Sequence, residues 1–155
     1  MTDNTVDNLL DELQVWKDRA LKAEYAATHD EMTGVFNRRG LYQEAARRAY
    51  KFVYVIDVDG LKRVNDEGGH AAGDMLIKIV VGKLNVMASL GDGVVARVGG
   101  DEFVLLVDRL IKTGTEDIDF SSGWVPLEND LDDALRRADA RMYVRKAARK
   151  SAAKN

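Results

Sequence analysis

Apolar residues recur at alternating steps of three and four over the first 28 residues, and polar or charged residues fill most of the other positions. On an α-helix this spacing places the apolar residues in one narrow stripe. The stripe consists of Val6, Leu9, Leu13, Trp16, Ala20, Ala23 and Ala27. We therefore predict an N-terminal helix whose stripe favours a coiled-coil seam, with packing back onto the same chain as the alternative.

Short apolar runs rich in β-branched residues follow later in the chain and predict buried strands. The run Lys51–Asp57 has an entirely apolar centre, which is typical of a strand covered on both faces. Val94–Val98 and Phe103–Val107 flank a glycine turn and predict a hairpin, because Gly99 and Gly100 permit the positive φ angles of a tight turn. We predict one more strand over residues 118–125.

Helical spacing and capping residues predict three further helices. Asn37 is the candidate cap of a helix that continues to Ala49. A third helix follows Asp74 and is predicted to turn five apolar residues inward: Leu76, Ile77, Val80, Leu84 and Met87. Pro126 and Asn129 mark the beginning of the last helix, which leads into a basic end.

The composition indicates one soluble domain, because 155 residues with 46% hydrophobic content can bury a substantial core. The absence of cysteine excludes disulfides, thiol catalysis and zinc–thiolate sites. The formal net charge of −3 does not favour DNA as a partner, and no apolar run is long enough for a signal peptide or a membrane span. We expect a cytoplasmic protein.

Acidic residues lie at the ends of two predicted strands. Asp57 and Asp59 end the first strand, where a carboxylate needs a cation, an ion pair or hydrogen bonds. We expect only one of these two to face a shared site. Asp101 and Glu102 follow the two glycines, where the lack of a Cβ lets a phosphate approach bare backbone N–H donors. Taken alone, such a turn is equally typical of a solvated loop.

Two other polar residues suit recognition of a nucleotide base. The amide of Asn65 offers a donor and an acceptor, and the carboxylate of Asp74 accepts two N–H bonds. His29 has no histidine, cysteine or carboxylate at a zinc-site spacing, and we predict that it is a hydrogen-bonded structural group.

Besides the hairpin Arg97–Phe103, five segments between Asp30 and Lys150 resemble the GGDEF domain, the family of diguanylate cyclases, in the family's order. They are His29–Arg39, Asp57–Asp66, Gly69–Asp74, Ser121–Gly123 and Ala138–Tyr143 with Lys146. The resemblance implies a palm-like α/β fold with a ferredoxin-like core, whose sheet is flanked by helices. We accordingly divide the chain into an N-terminal coiled-coil-type helix at 1–28, a GGDEF domain at 29–150 and a basic tail at 151–155.

The resemblance also implies an activity. Diguanylate cyclases condense two GTP molecules into cyclic di-GMP plus pyrophosphate, by attack of a 3′-hydroxyl on an α-phosphate between two half-sites. Mg²⁺ or Mn²⁺ is the implied cofactor, and the implied partner is a second copy, joined through the N-terminal helix. The alternatives are an inactive GTP-binding or interaction module, and a cyclase that makes another cyclic dinucleotide.

By position, the resemblance assigns metal binding to Asp57, Asp101, Glu102 and the carbonyl of Val58. For Glu102 the implied role is to share this metal binding or to assist deprotonation of the attacking hydroxyl, and Lys146 would contact phosphates. The remaining implied contacts are Asn65 and Asp74 to guanine, Gly99 and Gly100 to the nucleotide, and Lys62 and Lys150 to substrate. Oxygen ligands of this kind suit two metal ions about 4 Å apart, which can activate a hydroxyl and stabilise a leaving oxygen.

Three positions depart from the family pattern. Leu90 and Gly93 stand where an Arg-x-x-Asp motif forms an inhibitory product site, so we expect no feedback by that route. Gly60 replaces a bulkier residue. Only Asp108–Asp117 stands where the family has a helix, although a parallel crossover typically needs a dozen or more residues. We therefore expect one uncovered sheet face, with the N-terminal helix, a partner subunit or another protein as its cover.

Overall fold

The computed structural model describes residues 3–111, 119–128 and 130–152, and the side chains of 5–111, 119–128 and 130–148. The elements are α1 (Asp3–Thr28), α2 (Arg38–Arg47), β1 (Phe52–Val58), α3 (Leu61–Gly91), β2 (Gly93–Arg97), β3 (Glu102–Val107), β4 (Phe120–Pro126) and α4 (Leu131–Ala152). No helix within these residues is both long and apolar enough to cross a membrane.

The four strands form one sheet in the order β2-β3-β1-β4, and every neighbouring pair is antiparallel. Strand alternation sends Tyr54 and Ile56 of β1 into a core with α3, and Val53 and Val55 into a core with α2 and α4. The predicted palm-like α/β fold, with helices against the sheet, is confirmed.

The N-terminal helix extends from the domain with its apolar residues in solvent. α1 has 26 residues and is about 39 Å long. Leu9, Leu13 and Trp16 are each at least half exposed, and the contacts of α1 are with α2, near Thr28. The alternative in which the stripe packs back onto the same chain is therefore wrong.

The segment between α1 and α2 folds as a capped link. Asn37 caps α2, because its side chain accepts a hydrogen bond from the Gly40 amide, as predicted. α2 ends at Arg47 rather than Ala49, since Arg48 already has extended backbone angles. His29 is the predicted structural group: its Nδ1 lies 2.9 Å from Thr28 Oγ1, and its ring stacks on Tyr25.

The sheet face beside the short β3–β4 connection is partly covered where the structure describes it. Tyr54 is fully buried, and its hydroxyl donates to the Ile111 carbonyl at 2.8 Å and accepts from the Ile111 amide at 2.9 Å. Trp124 and Phe52 on the same face are half-buried. Ile111, the last described residue of this connection before the gap, therefore covers Tyr54, whereas α1, one of the expected covers, contacts α2 instead. Residues 112–118, including the predicted start of β4, lie outside the described residues.

Helix α3 is longer than predicted and has two parts. Gly60 begins it with a φ of 75°, and Gly69 interrupts it with a φ of 76° and a non-helical ψ. Both angles lie in the left-handed region that favours glycine. The predicted inward residues Ile77, Val80 and Leu84 are buried. Leu76 and Met87 pack against the same core while partly exposed.

Candidate functional site

The hairpin carries its acidic residues at the beginning of β3: Asp101 directly precedes the strand, and Glu102 is its first residue. The carbonyl of Glu102 accepts hydrogen bonds from the amides of Val98 and Gly99 at 2.9 and 3.3 Å, which closes a four-residue loop. The predicted hairpin is confirmed, but the expected positive φ angles are wrong, because neither Gly99 nor Gly100 has one. A loop of this length needs no left-handed residue, unlike the two-residue turns that require one.

The end of β1 lies beside this loop. Asp57 is directly opposite Glu102 in the antiparallel register, and the Val58 amide donates to the Asp101 carbonyl at 2.9 Å. Paired residues of an antiparallel sheet project to the same face, so Asp57 and Glu102 share a face. The structure thus brings together the four residues for which metal binding was predicted: Asp57, Val58, Asp101 and Glu102.

Lys146 of α4 reaches the same strand end and lies between two carboxylates. Its Nζ donates a short hydrogen bond to Asp57 and lies 3.6 Å from Asp59 Oδ1. Burial alone would lower the pKa of Lys146, but the hydrogen bond to Asp57 and the charges of both carboxylates raise it above its usual value. The expectation that only one aspartate faces the site is wrong, because residues two apart along an extended chain share a face.

Ser121 supplies a contact that the sequence analysis missed. Its buried hydroxyl lies 2.8 and 3.0 Å from the two carboxylate oxygens of Asp59, to which it donates. The residue had been singled out only as part of a motif. The sequence does offer one sign of this contact. Ser121 lies on the same face of β4 as Gly123 and Val125, and those two residues pack against α4 and the core.

Close packing of α4 on β4 determines where Lys146 lies. A Cβ on Gly123 would lie 2.2 Å from the Ala138 carbonyl oxygen and 2.3 Å from the Met142 amide. Glycine is therefore required for this close approach. Lys146 follows Met142 by four residues, about one helical turn, so the contact at Gly123 brings its side chain to the end of β1.

Arginines along α4 also satisfy the open edge of β4. Arg137, Arg141 and Arg145 donate to the backbone carbonyls of Pro126, Trp124 and Ser122, at 3.1, 2.9 and 3.4 Å respectively. Unpaired carbonyls on an edge strand invite pairing with another chain, and these side chains occupy them.

The candidate base-reading residues lie on the two parts of α3. Asn65 is half-buried, and its Oδ1 fills the space that a Cβ on Gly73 would need, at 1.9 Å. Asp74 and Lys62 are exposed. The described hydrogen bonds and ion pairs do not connect these three residues with the carboxylates of β1 and β3. The side chain of Lys150 lies outside the described residues.

A second ion pair, also missed from the sequence, fixes the hairpin loop. Arg97 donates to the Gly100 carbonyl at 2.7 Å and lies 3.2 Å from Asp30 Oδ1 in the link after α1. Thr33 donates its amide and its hydroxyl to the same carboxylate oxygen. These contacts hold the hairpin loop against the link between α1 and α2.

The carboxylates fit a hard cation in ligand type. Asp57 and Asp59 already share one cationic group, the ammonium of Lys146, and carboxylate oxygens are the ligands that Mg²⁺ and Mn²⁺ prefer. Within the described part of the chain, no three acidic or histidine side chains are close enough to form a ready-made metal site. The residues at the end of β1 therefore fit a hard cation by ligand type, although their side chains do not form a complete coordination site.

Comparison with known proteins gives a family match over more than half of the chain. The model of the family described as "Diguanylate cyclase, GGDEF domain" matches residues 27–120. An uncharacterised protein of Mycobacterium tuberculosis is 32% identical over 176 aligned positions, which cover 93% of this chain and 28% of the relative. Because 176 positions exceed the 155 residues of this chain, the relative carries residues that this chain lacks.

Two further proteins extend the comparison. The probable diguanylate cyclase DgcJ of Escherichia coli is 34% identical over 149 positions, covering 79% of this chain and 30% of the relative. The chain thus spans less than a third of the length of both curated relatives. A crystal structure of the coiled coil and GGDEF domain of DgcB from Caulobacter crescentus, in complex with c-di-GMP, has a TM-score of 0.74 at 21% identity and covers 94% of each chain.

Proposed function

Because this chain belongs to the GGDEF domain family, we propose that it is a diguanylate cyclase that joins two GTP molecules into cyclic di-GMP and releases pyrophosphate. The observation that carries the proposal is that Asp57 lies opposite Glu102 and pairs with Lys146, at the point where β1 ends and β3 begins. Relatives named as diguanylate cyclases support this class of reaction.

Each side chain has a distinct part in the proposed reaction. When bound, Mg²⁺ or Mn²⁺ would polarise the α-phosphate and favour ionisation of the attacking 3′-hydroxyl. Asp57, Asp101, Glu102 and the Val58 carbonyl would supply its ligands. Glu102 is exposed beside the glycine loop and would take the hydroxyl proton.

The remaining residues would hold the nucleotide. Lys146 would neutralise phosphate charge, and the Gly99-Gly100 backbone would lie against the nucleotide, which is what phosphoryl transfer chiefly requires of a protein. Asn65 and Asp74 would read the guanine edge, with Lys62 and Lys150 as further contacts to substrate.

Cyclisation needs two nucleotides held by two domains, so we propose a homodimer formed through α1. The exposed stripe of α1 supports this proposal, because six of its seven apolar residues, all except the half-buried Ala27, are exposed in the single chain. The DgcB structure, whose fold is similar to that of this chain, contains a coiled coil beside its GGDEF domain.

The short β3–β4 connection favours a second candidate, a GTP-binding module without turnover. Residues 108–111 and 119, the described part of this connection, are not helical, although the family normally has a helix there. Loss of an element could spare binding while disturbing the precise geometry that catalysis needs.

Replacing Glu102 by Gln separates the two candidates. We expect Glu102→Gln to lower cyclic di-GMP formation at least about 100-fold, the effect typical of removing a general base, while GTP affinity stays within about threefold. Mass spectrometry of products and calorimetric GTP binding are the measurements. Glu128→Gln, an exposed glutamate in the β4–α4 loop, is the control and should match the wild type. Undiminished synthesis by Glu102→Gln would show that this residue has been given the wrong role.

A further inference from the structure

Asp59 has no part in the function proposed above, yet it is held as firmly as the residues that have one. Its carboxylate accepts both contacts of the Ser121 hydroxyl, and its backbone amide donates to the Asp119 carbonyl at 2.9 Å. The Lys146 ammonium lies 3.6 Å from Asp59 Oδ1. Asp59 is therefore a second carboxylate beside the Lys146 ammonium, held in place by Ser121.

Asp57 and Asp59 would interact differently with Lys146 once Asp57 binds a metal ion. A carboxylate that ligates a divalent cation cannot keep its full hydrogen bond to an ammonium, and the cation repels that ammonium at the same time. Lys146 is mostly buried, with a quarter of its side chain exposed, so losing its partner would leave a costly unpaired charge. A second anion within a small side-chain rotation removes that cost.

We propose that Asp59, oriented by Ser121, is a positioning residue that keeps the Lys146 ammonium at the phosphate position when Asp57 binds the metal ion. The inference rests on the proposed function, because it takes Asp57 to be a metal ligand and Lys146 to be a phosphate contact. It assigns Asp59 to the lysine rather than to the metal.

The role of Ser121 follows from its place in β4. Ser121 is opposite Asp57 in the β1–β4 register and faces the same side of the sheet. Its hydroxyl is buried, and hydrogen bonds to a charged group are stronger away from water. Ser122, the next residue, is opposite Ile56 and faces the α3 side, which makes it a matched control of the same residue type.

The test measures how accessible Lys146 is to an amine acylating reagent, by mass spectrometry, with and without millimolar Mg²⁺. In the wild type and in Ser122→Ala, Mg²⁺ should change Lys146 acylation by less than about twofold, since Asp59 retains the ammonium. In Asp59→Asn, Mg²⁺ should raise it about tenfold, the factor that corresponds to one charged hydrogen bond. In Ser121→Ala, the milder variant, Mg²⁺ should raise Lys146 acylation about threefold. Acylation of the exposed Lys78 is the internal reference.

Two results would overturn the inference. One is Lys146 acylation in Asp59→Asn that does not respond to Mg²⁺. The other is a loss of Mg²⁺ affinity in Asp59→Asn as large as that in Asp57→Asn, measured by calorimetry, because Asp59 would then be a metal ligand. The acylation pattern does not depend on turnover. If it holds while the wild type makes no cyclic di-GMP, the positioning role stands and the proposed activity fails.

Discussion

Asp30 and Arg97 show how one pair of charges ties two segments that are far apart in the chain. Arg97, with 14% of its side chain exposed, bridges the Asp30 carboxylate and the Gly100 carbonyl. The position of the glycine loop therefore depends on the link after α1. Asp59 and Ser121 repeat this arrangement at the end of β1. The positions of the residues at the site therefore depend on which polar groups form hydrogen bonds and ion pairs with one another.

Replacing Asp30 by Asn should destabilise the fold in a pH-dependent way. Burial alone would raise the pKa of Asp30, but hydrogen bonds from Thr33 and Arg97 outweigh it and hold the pKa below the ordinary 3.8. The ionised group therefore stabilises the fold above that pH, and the contribution is lost as the pH falls through the lowered pKa. We expect Asp30→Asn to lower the free energy of unfolding by about 1–2 kcal/mol at neutral pH.

Urea unfolding at pH 7 and near pH 3 measures this effect. The difference between wild type and Asp30→Asn should narrow at the lower pH. Asp7→Asn, in exposed α1, is the control and should leave the stability unchanged at both values. A difference that stays constant with pH would contradict the assigned role of the carboxylate charge.

The sequence identified some of these residues and missed others for a clear reason. Asp57, Asp101 and Glu102 stand beside apolar strands and a glycine turn, so local pattern and family resemblance both pointed to them. Ser121 is 62 positions from Asp59, and Arg97 is 67 positions from Asp30. Local patterns do not report such contacts, because only the sheet topology brings these residues together.

Among the elements, the apolar patterns predicted the type of each helix and strand better than its limits. α2 ends two residues early, and α3 begins at Leu61, within a stretch whose glycines and charged residues conceal its helical character. The contact by which Ile111 covers Tyr54 on one sheet face was also missed. The hydrogen bonds between Tyr54 and Ile111 form across 57 positions, and nothing in the run Asp108–Asp117 signals them.

Replacing Gly123 by Ala should displace α4 from β4. The added methyl group would overlap backbone atoms of Ala138 and Met142, which cannot rotate away as a side chain could. We expect a loss of about 1–3 kcal/mol in the free energy of unfolding, as for other overpacked cores, together with reduced turnover because Lys146 shifts. Urea unfolding and product assays are the measurements.

The matched control is Gly82→Ala in the middle of α3. A Cβ on Gly82 meets nothing within 4 Å, so the change should stabilise the protein by about 0.5–1 kcal/mol through helix propensity alone. Equal stability changes in the two variants would contradict the close α4–β4 contact.

For the whole molecule, the contrast is between a well-packed domain and an N-terminal helix with an unpaired apolar stripe. Each face of the sheet packs into a hydrophobic core, whereas Leu13 and Trp16 of α1 are more than half exposed. The heptad-like spacing predicted this helix correctly, and a second copy is the cover that we propose for it.

Replacing Leu13 by Glu should lower the dimer population and the turnover together, since a charge in a coiled-coil seam opposes pairing. Lys22→Glu, on the opposite side of α1, alters charge without entering the stripe and should leave both unchanged. Light scattering gives the oligomeric state, and the product assay run on the same samples gives the turnover. Full turnover by a demonstrable Leu13→Glu monomer would refute the proposed dimer.

The most direct test of the central claim is to incubate the purified protein with GTP and Mg²⁺, beside an ATP control, and to identify the products by mass spectrometry. The proposed function predicts cyclic di-GMP and pyrophosphate from GTP and no cyclic product from ATP. Absence of a cyclic dinucleotide, in a sample that still binds GTP, would contradict the cyclase assignment and favour the binding module.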